Sequence, residues 1–424
     1  MLKIKLWISA RTCCEQFFNG GINMNKIIEL ENQYCAHNYL PIPVVLVKGQ
    51  GVHVWDEQGK CYLDMMSAYS AVSHGHRHPR LVKALTDQAN QLAVVSRAFY
   101  SDKLAPFLQK ACTLTGQDKA LPMNTGAEAV ETALKAVRKW AYSVKGVPQD
   151  EAEVIVCEGN FHGRTISIVG FSSEHQYKDM FGPFPAGFKL IPFGDAAALE
   201  AAITPNTAAF LVEPIQGENG IITPPAGYLA ECARLCAKHN VLLICDEIQT
   251  GLGRTGKLLA SNHEGVKPDG LLLGKALGGG LLPVSLFLAR KEVMDVFQPG
   301  DHGSTFGGNP LACAVAHEAL NVLEEEHLVE RSQEMGEYLL HQLGLLQSPL
   351  IKDIRGQGLF VGMEINPQHA SARTVCERLM TKGILSKETH DTVVRIAPPL
   401  IVEQTHLDTA VQALDEVLKE LESE

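Results

Sequence analysis

Apolar runs too short to be helices alternate with amphipathic stretches through most of the chain. The segments Val154–Cys157, Thr165–Phe171, Ala209–Val212, Val241–Cys245, Gly270–Leu273 and Val284–Leu288 read as strands. Several are apolar throughout, the pattern of a strand buried on both faces. Between them Gly126–Val144 places Val130, Ala133, Leu134, Val137, Trp140, Ala141 and Val144 on one helical face. Such alternation predicts an α/β fold with a large, mostly parallel, doubly wound sheet. The ends differ in texture. Asn25–Ala36 predicts a short helix, followed by β runs at Val44–Lys48, Val52–Asp56 and Cys61–Asp64 divided by Gly-Gln-Gly and Glu-Gln-Gly turns. Near the other end, Leu359–Glu364 and Val393–Ile396 predict strands. Leu407, Ala410, Val411, Leu414, Val417, Leu418 and Leu421 predict a closing amphipathic helix.

With 424 residues, 46% hydrophobic and 20% charged, the chain suits a globular protein of two or three domains. No apolar run approaches the roughly 18 residues of a membrane span. A net charge of −11 argues against nucleic acid as a partner, because phosphate binding needs a concentrated basic surface. The 11 cysteines are odd in number and include no C-x-x-C pair, which fits reduced thiols in a cytoplasmic protein. Residues 1–23 carry Lys3, Lys5 and Arg11 against one acid, Glu15. They read as a disordered extension; the alternative is a basic targeting segment, which would place the protein in the mitochondrial matrix.

Two stretches hold most of the candidate chemistry. Val241-Leu-Leu-Ile-Cys-Asp-Glu-Ile-Gln-Thr250 delivers Asp246 to the carboxyl end of a buried strand, where open α/β sheets bind ligands. Leu271-Leu-Leu-Gly-Lys-Ala-Leu-Gly-Gly-Gly280 delivers Lys275 in the same way. A lysine and a carboxylate at strand ends suit pyridoxal phosphate: the amine forms a Schiff base, and the carboxylate keeps the pyridine nitrogen protonated. The same pair also reads as a surface lysine and a strand-capping aspartate. Pro122-Met-Asn-Thr-Gly-Ala-Glu-Ala129 opens the amphipathic helix and offers a phosphate site at its start. An ordinary cap by Asn124 or Thr125 is the competing reading.

Gly251-Leu-Gly-Arg-Thr-Gly256 matches G-x-G-x-x-G, but five residues separate it from its strand and no helical period follows. Those departures weigh against a nicotinamide dehydrogenase. His74-Gly-His-Arg-His-Pro79 has no carboxylate or cysteine beside it in sequence, so it is expected to be a polar loop, and no metal is expected.

Taken together, these stretches resemble the class III, fold-type-I aminotransferases from about Asn38 to the C-terminal helix. Further matching motifs are Asn38-Tyr-Leu-Pro-Ile-Pro43, Ser67-Ala-Tyr-Ser-Ala-Val72, Ser96-Arg-Ala-Phe-Tyr100, Gly159-Asn-Phe-His-Gly-Arg-Thr165, Glu213-Pro-Ile-Gln-Gly-Glu218, Gly303-Ser-Thr-Phe-Gly-Gly-Asn-Pro310 and Arg395-Ile-Ala-Pro-Pro399. The resemblance implies a large cofactor domain over 73–329 and a smaller α+β domain from both ends, 24–72 and 330–424. It implies that Lys275 binds the cofactor covalently, Asp246 meets the pyridine nitrogen, Gln249 lies near the ring hydroxyl and Phe161 stacks on the ring. Gly126 and Ala127 would hold the phosphate, with Thr305 supplied by a neighbouring subunit, so a homodimer is the minimum unit.

On the substrate side, the resemblance implies that Tyr39 and Arg164 grip the α-amino and α-carboxylate groups of L-ornithine, with Tyr69 shaping the pocket. Glu218 would mask Arg395 until 2-oxoglutarate arrives. His162 stands where relatives can carry tryptophan, and no role beyond packing is expected of it. N-acetylornithine and 4-aminobutyrate are the alternative amino donors.

Overall fold

A computed structural model describes residues 24–424; the leader segment read at 1–23 lies outside the described residues. Seven strands form the central sheet, in the order Lys119–Met123, Ser285–Ala289, Gly270–Leu273, Leu242–Asp246, Thr207–Val212, Glu153–Cys157 and Phe188–Ile191. From Gly270–Leu273 to Phe188–Ile191 every pairing is parallel. Ser285–Ala289 runs antiparallel to both its neighbours.

Side chains that alternate along these strands enter two separate cores, as a pleated strand requires. Ile155, Phe210, Leu243 and Leu271 face one layer, while Val154, Leu211, Ile244 and Leu272 face the other. The second layer is closed by the helix Gly126–Trp140, which buries Val130, Ala133, Leu134 and Val137. Tyr228–Lys238 and Pro310–Glu325 contribute to the first. The expected doubly wound α/β arrangement is therefore present.

One expectation about elements fails, and one strand of the central sheet went unread. Thr165–Phe171 is no strand: Ile166–Gly170 is a short helix that buries Ile168 and Val169. The edge strand Phe188–Ile191 was not anticipated, because Lys189 and the flanking Gly187 and Pro192 hide its apolar pattern.

The chain ends meet. Cys61–Asp64 pairs in parallel with Ile384–Leu385, so one small sheet joins segments more than 300 residues apart. A second small sheet orders Ile351–Gln357, Phe360–Ile365, Val393–Ile396 and Lys387–Thr389. The closing helix, Gln404–Ser423, buries Leu407, Leu414, Val417 and Leu418.

Gly251–Gly256 forms buried turns rather than a helix start, and His74 bonds the Ala319 carbonyl at 3.0 Å. Among the described residues, no helix is long and apolar enough to cross a membrane, and no cluster of side chains suits a metal.

Candidate active site

Three neighbouring strands deliver ionisable residues to one edge of the sheet. Asp246 ends its strand, Glu213 follows Val212, and Lys275 stands two residues past Leu273. A cleft at this edge is lined by Gly126, Ala127, Phe161, His162, Gly163, Glu213, Asp246, Ile248, Gln249, Thr250 and Lys275. It thus gathers Lys275, Asp246, Gly126, Ala127, Phe161 and Gln249 from four separate stretches of sequence.

At one end, Asp246 Oδ2 lies 2.7 Å from His162 Nδ1, and Asp246 Oδ1 accepts the Ile248 N–H at 3.1 Å. Burial pushes the His162 imidazole down, but the hydrogen bond and charge of Asp246 outweigh it and hold the imidazole above its ordinary value. Glu213 accepts the backbone N–H of Phe161 at 2.8 Å, and burial pushes its carboxyl up to about 7. Sequence reasoning gave His162 only a packing role and Glu213 none. Glu213 was findable by the same signal as Asp246, an acid at the carboxyl end of a buried strand. For His162 no local signal exists, since its partner is 84 residues away.

Lys275 has φ of +45°, a left-handed conformation unfavourable for a residue with a Cβ. Burial lowers its ammonium pKa, opposed by the charge of Glu218, and no hydrogen bond engages it among the described residues. Such an amine is more readily neutral, and hence nucleophilic, than a surface lysine.

The helix Gly126–Trp140 starts with a capping box. Thr125 Oγ1 accepts the Glu128 N–H at 3.2 Å, and the Glu128 carboxylate accepts the Thr125 N–H at 2.7 Å. The capping reading at Thr125 therefore holds, and it does not exclude an anion: Gly126 and Ala127 line the cleft with first-turn N–H groups that no helical carbonyl satisfies. A Cβ on Gly126 would meet Ile248 Cδ1 at 3.0 Å, so glycine permits this close approach.

On the outer side of the cleft, Arg395 and Glu218 form a two-pronged ion pair with contacts of 2.9 and 2.7 Å. Arg395 is 3% exposed in its side chain, and the charges of both Arg395 and Lys275 favour the ionised form of Glu218. Tyr69 stacks below the Arg395 guanidinium at 5.2 Å, and its carbonyl accepts Gln249 Nε2 at 3.4 Å. Arg164 stands 3.6 Å over the ring of Tyr177 and 5.3 Å from that of Phe161. Tyr177 was not singled out from sequence.

Tyr69 sits in an unusual turn: Ser67, Ala68, Tyr69 and Ser70 have φ of 43°, 46°, 58° and 74°. Successive left-handed residues cost roughly 1–2 kcal/mol each without glycine. Tyr69, Arg164, Glu218 and Arg395 do not line the cleft itself, and two further expected residues are exposed. Tyr39 is 72% exposed, and Thr305 is exposed in the loop before Gly307.

Pyridoxal phosphate needs an amine, an acid for its ring nitrogen and a cradle for its phosphate. One cleft offers a buried lysine, an aspartate held by an imidazole, and a helix start made close by glycine. His162 Nε2 is also buried without a hydrogen-bond partner among the described residues, on the cleft wall. The residues fit the cofactor.

A doubly wound sheet with lysine and aspartate at adjacent strand ends defines a fold-type-I pyridoxal-phosphate transferase. The aminotransferase class-III family matches residues 34–418, and the chain belongs to that family. It is 56% identical over 394 residues to an ornithine aminotransferase of Brevibacillus brevis, covering 93% of this chain and 98% of that one. The crystal structure of the ornithine aminotransferase from Toxoplasma gondii is 45% identical with a TM-score of 0.95, covering 97% of this chain and 98% of that one. An acetylornithine aminotransferase from Elizabethkingia anophelis is 48% identical with a TM-score of 0.85, covering 94% and 99%. The protein is a pyridoxal-phosphate-dependent aminotransferase.

Proposed function

We propose that this aminotransferase moves the δ-amino group of L-ornithine to 2-oxoglutarate. The products are glutamate and glutamate 5-semialdehyde, which closes to pyrroline-5-carboxylate. The observation that carries the reading is the ion pair of the buried Arg395 with the half-buried Glu218, whose charge is coupled to Lys275. One pocket must take first a substrate ending in an amine, then one carrying a carboxylate at each end. Arginine recognises carboxylate through a planar fork, and left unpaired in a buried site it would be costly. Glu218 neutralises Arg395 while ornithine is bound. With 2-oxoglutarate, Arg395 is released to take the carboxylate beside the keto group, while Arg164 takes the distal one.

The same reading assigns the remaining roles. Arg164 and Tyr39 hold the α-carboxylate and α-amino group of ornithine, so the δ-amine is presented to Lys275, and Tyr69 shapes the pocket. Lys275 would hold the cofactor covalently and, once released, its amine would take the proton from the reacting substrate carbon and hand it back; its lowered pKa favours the neutral, proton-accepting form. Asp246, fixed by His162, would keep the cofactor's ring nitrogen protonated. Phe161 would cover the ring, Gln249 would lie near its hydroxyl, and Gly126 and Ala127 would receive the phosphate with Thr305 of the partner subunit. The cofactor, when bound, supplies an electron sink for the pair left when the substrate C–H proton is removed.

The reading extends to a cofactor domain over 73–329 and a smaller unit from 24–72 and 330–424, supported by the pairing of Cys61–Asp64 with Ile384–Leu385. It extends also to a homodimer acting in the cytoplasm, where the nine free thiols among the described residues would stay reduced. Identity of 48% to an acetylornithine aminotransferase favours N-acetylornithine as the second reading.

The visible absorption of the purified holoenzyme tests this. L-Ornithine alone should bleach the cofactor band, and 2-oxoglutarate should restore it. A band that ignores ornithine but bleaches with N-acetylornithine would transfer the assignment to the second reading.

A further inference from the structure

We propose that Arg254 is a positioning residue for the substrate side of the active site: it clamps the left-handed turn bearing Tyr69 to the strand end bearing Arg395. The inference rests on the reading of Tyr69 and Arg395 as substrate contacts.

Arg254 lies in the Gly251–Gly256 loop and is 0% exposed. Its guanidinium reaches three parts of the chain. Nη2 donates to Ser67 Oγ at 3.0 Å and to Ser73 Oγ at 2.9 Å; Nη1 donates to the carbonyls of Leu359 at 3.0 Å and Pro398 at 2.6 Å. All four acceptors are neutral oxygens. A buried cation without a bonded carboxylate is unfavourable unless its donors are well satisfied, so its retention here asks for a reason other than burial.

The acceptors supply that reason. Ser67 opens the left-handed turn, donating its own hydroxyl to Ala397 O at 2.7 Å, and Ser73 donates to Ser70 O at 2.8 Å, closing it. Both hydroxyls are therefore oriented by Arg254, at the two ends of a four-residue stretch whose backbone opposes its own conformation. Pro398 stands three residues beyond Arg395, and the Ala397 N–H donates to Met65 O at 2.7 Å. One planar group thus fixes the spacing between the Tyr69 ring and the Arg395 guanidinium, which are 5.2 Å apart. Lysine would keep the charge, but its single ammonium cannot address two serines and two carbonyls in one plane.

The clamp is tested by the Ser67→Ala/Ser73→Ala double variant, which removes the turn-side contacts of Arg254 together with the Ser67–Ala397 and Ser73–Ser70 bonds, and by Arg254→Lys, which leaves those two bonds in place. The holoenzymes are compared with wild type in cofactor absorbance, thermal midpoint and steady-state kinetics. We expect KM for L-ornithine to rise about 10-fold while kcat changes less than about 3-fold and cofactor absorbance is retained. A lowered thermal midpoint or cofactor content, with ornithine KM unchanged in the loaded fraction, would make Arg254 a stabilising residue only and overturn the inference. Should Arg254→Lys fail to fold, the serine variants carry the same comparison alone. Tyr69→Ala separates the two levels. If it raises ornithine KM and the serine variants do not, the clamp falls; if it does not, the reading of Tyr69 falls with the clamp.

Discussion

Around the candidate cofactor site, Asp246, Glu213 and His162 are buried together, and the charges of His162 and Asp246 both act on Glu213. Glu213 titrates at about 7 in the folded protein against an ordinary 4.5. The folded state therefore binds this proton more tightly than the unfolded chain does. Its stabilising contribution is complete below pH 4.5 and is lost as pH rises through about 7. Glu213→Gln removes the titration, so the apoenzyme's unfolding free energy should fall less between pH 5 and 8 than that of wild type, by roughly 3 kcal/mol. Urea unfolding at the two pH values measures this, and parallel losses in both proteins would show that Glu213 is not the group responsible. Asp246 and Lys275 were legible in the sequence because one ends, and the other closely follows, an apolar strand. The partner of Asp246 was not, because an imidazole and a carboxylate 84 positions apart carry no mark of their contact.

Elements were legible wherever periodicity was long. Gly126–Trp140 shows four turns of apolar spacing and a capping box, and it folds as read. Ile166–Gly170 fails the reading because Ile166, Ile168 and Val169 have strand propensity, while five residues give no helical period to oppose it. Close packing between elements was equally hidden. Gly336 lies mid-helix in Leu328–Gly344, where glycine is locally unfavourable, yet a Cβ there would sit 2.1 Å from the Gly358 carbonyl carbon. The neighbour is backbone, so it cannot rotate away. Gly336→Ala should gain helix propensity and still lose about 1–3 kcal/mol of stability, read as a lower urea midpoint at unchanged slope. An unchanged or higher midpoint would mean that helix and turn can separate without cost.

At the scale of the whole molecule, the segments 92–100 and 304–311 lie together, joined by the Leu311 N–H donating to Ala93 O at 3.2 Å. They expose Phe99, Tyr100 and Phe306, at 68%, 106% and 55%. Exposed aromatic side chains of this size on two joined segments suit contact with a second copy of the chain. Sedimentation should give twice the chain mass, and Phe99→Glu together with Phe306→Glu should yield a monomer that retains cofactor poorly. A monomeric wild type with full activity would remove the assigned role of Thr305. The sequence by itself determined the doubly wound sheet, the lysine and aspartate at its edge, and the family motifs, because these follow from local periodicity and contiguous residues. Tertiary structure alone decided the His162–Asp246 contact, the left-handed turn under Tyr69, and the meeting of both chain ends around Arg254. Each depends on groups distant in sequence whose burial and hydrogen bonding are settled only when the chain has closed on itself.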